Sequence, residues 1–198
     1  MRYMQSNTSD PRPVKLFGSE KDWSAWLEKN HQKSSGLWLR IAKKHSKLRS
    51  VSYQQALEVA LCYGWIDGQK RPESGDAWLQ KFLPRSPKSI WSKINREKTL
   101  ALIASGRMQP AGHAAIENAK ANGRWDAAYD SFSSAAVPPD LQAALDARPH
   151  AKEFFDTLDR ANRYAILWRI QTVKRADTRA RKIDQFVAML ERREKIHT

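Results

Sequence analysis

Nine residues, ALCYGWIDG (Ala60–Gly68), hold the end of one helix, a stop and the start of a strand, so the chain must mix the two element types. Upstream, Ser52 followed by Gln55 is a capping box opening YQQALEVALCY, with Ala56, Leu57, Ala60 and Leu61 on its buried side. Gly64 closes that helix in a left-handed conformation, which costs glycine no Cβ clash. After it, WIDGQKR and AWLQKFL are expected to be strands around the turn-rich PESGD. Earlier, Leu37, Leu39 and Ile41 alternate with Trp38 and Arg40 at the period of a strand. The fold class implied is α+β, a small antiparallel sheet of about three strands packed by helices.

The flanking segments set the domain plan. Residues 1–18 are polar, with Pro11, Pro13 and Gly18, and are expected to be a flexible arm. A helix begins at Ser19, with Asp22 in a capping-box position and Trp23, Trp26 and Leu27 on one face. A further helix is expected from Ser86, with Pro87 in its first turn and Ile90, Trp91, Ile94, Leu100 and Ile103 as its apolar periodicity up to Gly106. Pro110 starts the next, ending near Asn122-Gly123. These elements give a mixed domain over 19–124, and the small-residue, proline-containing stretch 125–137 is expected to be a linker. Residues 138–198 form an all-helical module of four segments, the last carrying Ile183, Phe186, Val187 and Leu190 as a stripe.

The formal net charge of +14 makes an anionic partner plausible: nucleic acid, a phosphorylated ligand or an acidic surface. Residues 138–198 hold 13 Lys/Arg against 9 Asp/Glu, so the excess sits mainly on the mixed domain. The single Cys62 excludes an intramolecular disulfide and a multi-cysteine zinc site, and fits a reducing compartment. The opening residues have no apolar run of a secretory signal and no stretch has the length of a membrane span. The expectation is a soluble, cytoplasmic protein. Its five histidines are scattered, with no HExxH, and GxGxxG, P-loop and GxSxG are absent, so neither a metal nor a cofactor is expected.

ALCYGWIDG, then KFLPRSPKSIWSKIN (Lys81–Asn95) and VKRADTRARKIDQFVAML (Val173–Leu190), resemble the YdeI/OmpD-associated, or bacteriocin-protection, family over most of residues 20–195. The resemblance implies the helical closing module and a link to envelope stress, antimicrobial-peptide tolerance or a porin, with a periplasmic setting suggested for the family. It brings no reaction and no catalytic residues.

The chemical candidates come from the residues. Asp67, between a tryptophan strand and a glycine, has the type of a general acid or base, or of turn chemistry paired with Lys70 or Arg71. Cys62 falls on the apolar side of its helix and is expected to be inert packing. RIAKKHSKLR (Arg40–Arg49) has five Lys/Arg and no acid, placing Arg40, Lys43 and Lys44 as contacts for nucleic acid or a partner. Arg85, Ser86, Lys88 and Ser89 gather where a helix start is expected, an arrangement that either caps the helix beneath a solvated basic face or favours phosphate or carboxylate. Trp65 and Trp91 read as core or, being beside these motifs, as walls of a pocket there. Arg179, Arg181 and Lys182 suit phosphates or an interdomain surface. The preferred expectation is a non-enzymatic binder of an anionic ligand or partner between the GWIDG strand and the PRSPKS helix start. A nucleic-acid-binding mixed domain and an enzyme using Asp67 are the alternatives.

Overall fold

In the computed structural model, residues 10–73, 75–131 and 135–197 are described. They divide into two compact units, the first running to residue 89 and resuming over 95–126, the second made of 90–94 and 127 onward.

The first unit is built on a four-stranded sheet of order β1-β2-β4-β3. Its strands are β1 (Val14–Lys15), β2 (Leu37–Ala42), β3 (Trp65–Pro72) and β4 (Ala77–Pro84). β4 runs antiparallel to β2 and β3, whereas β1 runs parallel to β2, so the sheet is mixed. The α+β class holds, with four strands in place of about three. The added strand is two residues long, too short to show alternation, and lies in the segment expected to be an arm. It is tied down by the Trp38 N–H donating to the Pro13 carbonyl at 2.9 Å. Residues 1–9 of that segment lie outside the described residues.

The helices of this unit start and stop where their caps dictate. Helix α1 (Glu20–Asn30) is capped by Ser19, whose hydroxyl accepts from the Asp22 N–H. Helix α2 (Tyr53–Cys62) has the reciprocal capping box of Ser52 and Gln55. Gly64 ends it at φ +71°, and a Cβ there would also lie 2.8 Å from the Ala111 carbonyl oxygen. The core formed against the sheet is aromatic. Trp23 is fully buried among Phe17, Trp26, Trp65 and Phe82, and donates its indole N–H to the Ala56 carbonyl at 3.0 Å.

One helix start moves. Helix α3 spans Lys93–Ala104, not a segment beginning at Ser86. Residues 86–89 instead close on themselves: the Ser89 N–H donates to the Ser86 carbonyl, and the Ser86 N–H to the Ser89 hydroxyl at 3.0 Å. Serine side chains that satisfy the local backbone compete with helix formation, and here they prevail. The expected apolar stripe fails with it. Ile90, Ile94, Leu100 and Ile103 are exposed, and the buried residues of α3 are Thr99 and Leu102. Helix α4 (Pro110–Ala121) begins at its proline as expected, with Asn122 as its C-cap.

The second unit is helical: α5 (Pro139–Asp146), α6 (Pro149–Thr157), α7 (Arg160–Gln171) and α8 (Ala176–Glu191). Leu141, Leu145, Phe155, Ile166, Ile170 and Leu190 lead its core. The α8 stripe lies as expected, with Ile183, Val187 and Leu190 buried and Phe186 partly so. Asn162 is a buried polar residue whose amide bonds the backbone of His197 twice, at 2.8 and 3.1 Å. Residues 90–94 join this unit through Tyr129. Its N–H donates to the Trp91 carbonyl and its carbonyl accepts from the Lys93 N–H, and Lys93 pairs with Asp130 at 2.7 Å. Among the described residues no helix is long and apolar enough to cross a membrane.

Candidate functional site

The sheet end where β2 gives way to α2 carries an exposed cationic loop. Ala42 pairs with Ala77, and the Lys43 N–H donates to the Asp76 carbonyl at 2.7 Å, so the loop leaves β2 beside the β3–β4 hairpin turn. It returns at Ser50, whose hydroxyl accepts the Ala42 N–H at 2.9 Å. Between these anchors Lys43, Lys44, Lys47 and Arg49 are exposed. Lys43 donates its ammonium to the Gly75 carbonyl. Lys44, Lys47 and Arg49 have no carboxylate within ion-pair reach among the described residues. Arg40, on β2 itself, is engaged differently: its guanidinium meets Glu73 through two bonds of 2.7 and 2.9 Å.

Aromatic side chains border this end. Trp78 lies opposite Ile41 in the β2–β4 register and is half-buried, with the Lys70 ammonium 4.3 Å over its ring. Tyr53, the first residue of α2, has its ring centre 5.9 Å from that of Trp78. Its hydroxyl donates to Asp67 at 2.8 Å. Sequence reasoning missed Tyr53, Trp78 and Lys70, because their meeting depends on the strand register and on the irregularity between Asp67 and Lys70.

That same contact describes Asp67. Its carboxylate holds the Tyr53 hydroxyl, fourteen residues away, where Lys70 or Arg71 was the expected partner. Arg71 instead lies 4.2 Å over the buried Trp38 ring. Asp67 lines neither of the cavities along α1. The smaller of these, about 230 Å³, is bounded by Glu20, Ser24, Val59, Cys62, Tyr63, Arg107 and Gln109. Arg107 there bridges Glu20 and Glu58, tying α1 to α2. Burial pushes the Cys62 thiol above its ordinary value, which opposes thiolate formation.

The residues expected to cradle an anion are not assembled as anticipated. Arg85, Ser86, Lys88 and Ser89 sit on a loop four or more residues before α3, so no helix terminus points at them. Trp65 is buried, with its indole N–H donated to the His31 carbonyl at 3.1 Å, and is core rather than pocket wall. Trp91 is likewise buried, in the second unit.

On α8, Arg179 grips Asp140 of α5 at 2.6 and 2.9 Å and donates to the Ile170 carbonyl at 2.7 Å. It is a clamp within the helical unit. Arg181 lies 3.8 Å from Asp177, and Lys182 is half-buried. The Arg179 hydrogen bonds hold the Asp140 carboxyl below its ordinary value of 3.8. A depressed carboxyl stabilises the fold above its unfolded pKa and loses that contribution as pH falls through the folded value. Asp140→Asn is therefore expected to cost stability at neutral pH and to flatten the stability profile between about pH 5 and pH 2. Urea midpoints across that range test it, and a slope equal to that of the unmodified chain would contradict it.

Residues 15–115 match the model of a family described as a domain of unknown function (DUF8412), and residues 134–193 match that of the family described as Bacteriocin-protection, YdeI or OmpD-Associated. The resemblance read from the sequence is thus carried by the tail motif, while the motifs at 60–68 and 81–95 fall within the first match. No curated protein and no solved structure matches the chain.

Proposed function

Since the chain belongs to the family described as a domain of unknown function (DUF8412), whose description names no activity, we propose a role from the surface of its first unit: nucleic-acid binding at the basic end of the sheet. One observation carries the reading. Lys44, Lys47 and Arg49 stand exposed on the β2–α2 loop with no carboxylate partner among the described residues, beside Lys43 and Lys70. Cations strung along an exposed loop suit a repeating phosphate backbone better than a single small anion, which is held by donors converging in a pocket. The same comparison moves the reading away from a lone anion at residues 85–89, where the expected helix terminus is missing. A reducing, cytoplasmic setting belongs to the proposal and is supported by a single cysteine that is buried. The match of the tail to a bacteriocin-protection family supports a stress-associated context for the binding.

Phosphate contacts release counterions, so the affinity is expected to fall steeply with salt. The triple variant Lys44→Ala/Lys47→Ala/Arg49→Ala is expected to weaken binding about tenfold or more and to lower the salt slope by about 2 to 3. These side chains are exposed, so its thermal melt should stay near that of the unmodified chain. Mobility shifts at two salt concentrations test the reading. A triple variant that binds as the parent does, or no complex with duplex or single strand at low salt, would sink it.

A further inference from the structure

We infer that Tyr53, Trp78 and Lys70 form a stacking platform that makes single-stranded nucleic acid the preferred partner, an inference resting on the nucleic-acid reading above. The chain route brings platform and cations together. The basic loop departs from Ala42, paired with the residue preceding Trp78, and returns through Ser50 to Val51, Ser52 and then Tyr53. Both of its ends therefore meet the aromatic pair.

Tyr53 is 37% exposed and tilted 44° to the half-buried Trp78. Of the other tryptophans that cations cover or that flank sequence motifs, Trp38, Trp65 and Trp91 are each 3% exposed or less, and the half-buried Trp26, under Lys15, stands away from the basic loop on α1. At this end, then, aromatic faces and a charged loop are accessible together. A duplex buries its base faces in the stack, whereas a single strand offers them, and base–aromatic stacking adds to phosphate contacts without demanding a sequence. Lys70, already over Trp78, supplies a cation beside the stacked base. The neighbouring acids are mostly engaged: Asp67 holds the Tyr53 hydroxyl and Glu73 holds Arg40, while Asp76 stays exposed on the hairpin turn.

The test measures anisotropy of a labelled oligothymidylate of about 20 nucleotides and of a duplex of equal length, with the full chain. The parent is expected to prefer the single strand. Trp78→Leu keeps apolar bulk under Lys70 but removes the indole face. It should lower single-strand affinity about tenfold and leave duplex affinity within about twofold. Tyr53→Leu, on an exposed first helical turn, gives the same selective loss with the sheet sequence unchanged, though it gives up the hydroxyl's bond to Asp67. Parallel losses for both strand forms, no loss in either variant, or a parent that prefers the duplex would overturn the platform while leaving polyanion binding in place. A parent that binds neither form overturns both.

Discussion

Gly112→Ala is expected to destabilise the first unit by about 3 kcal/mol, the wrong sign for a helix position judged on propensity. Alanine in a helix interior normally gains about 1 kcal/mol over glycine. Here a Cβ would overlap the Cys62 carbonyl and the Met108 sulfur. The thioether can swing aside, but the carbonyl belongs to the backbone at the end of α2. It is also fixed to α4 by the Gln109 N–H at 3.2 Å. Relief therefore requires α2 and α4 to part, and Gly64, against Ala111, tightens the same contact. Urea denaturation compares the two effects directly. A more stable alanine variant would show that propensity prevails and that the helices separate at little cost.

Trp23→Ala should cost more, about 4 to 5 kcal/mol, a large part of what a domain this size possesses. Trp23 stacks on Trp26 with ring centres 5.5 Å apart, and lies 5.7 Å from Phe82 and 6.2 Å from Trp65. It touches both helical and sheet aromatics, and its removal leaves a cavity that four rigid neighbours cannot collapse to fill. The Ala56 carbonyl also loses its indole donor. Trp23→Phe keeps a ring and should lose only about 1 to 2 kcal/mol. Leu100→Ala, on the exposed side of α3, is expected to change stability by no more than about 0.5 kcal/mol. Comparable losses for Trp23→Ala and Leu100→Ala would invert the assignment of core and surface.

These residues show which parts of the chain were legible. Local rules carried the helix ends, because a cap is a few residues bonding to their own backbone: Ser19, Ser52 with Gln55, Gly64 and Pro110 all stand where expected. The same locality misled at Ser86. Its hydroxyl chemistry fits a helix start or a self-closed loop equally well, and the mutual bonds of Ser86 and Ser89 close the loop, while Ile94, Leu100 and Ile103 stay exposed. β1 was invisible because two residues have no period. The acid-free run from Arg40 to Arg49 was plain in the sequence, but not that Glu73 would take Arg40 and leave Lys44, Lys47 and Arg49 exposed. The pairings across it were not legible. Tyr53 with Asp67, Arg40 with Glu73 and Arg179 with Asp140 link residues 14 to 39 positions apart, which only register and topology bring together.

The chain crosses between its units three times, since residues 90–94 belong with the helical tail while 95–126 return to the first unit. A single cut near residue 126 would therefore leave part of the helical unit behind. Such a fragment would forfeit the two backbone bonds from Trp91 and Lys93 to Tyr129, and the Lys93–Asp130 pair with them. The helical unit is thus made of two stretches of chain, and only a polypeptide that carries both can complete it.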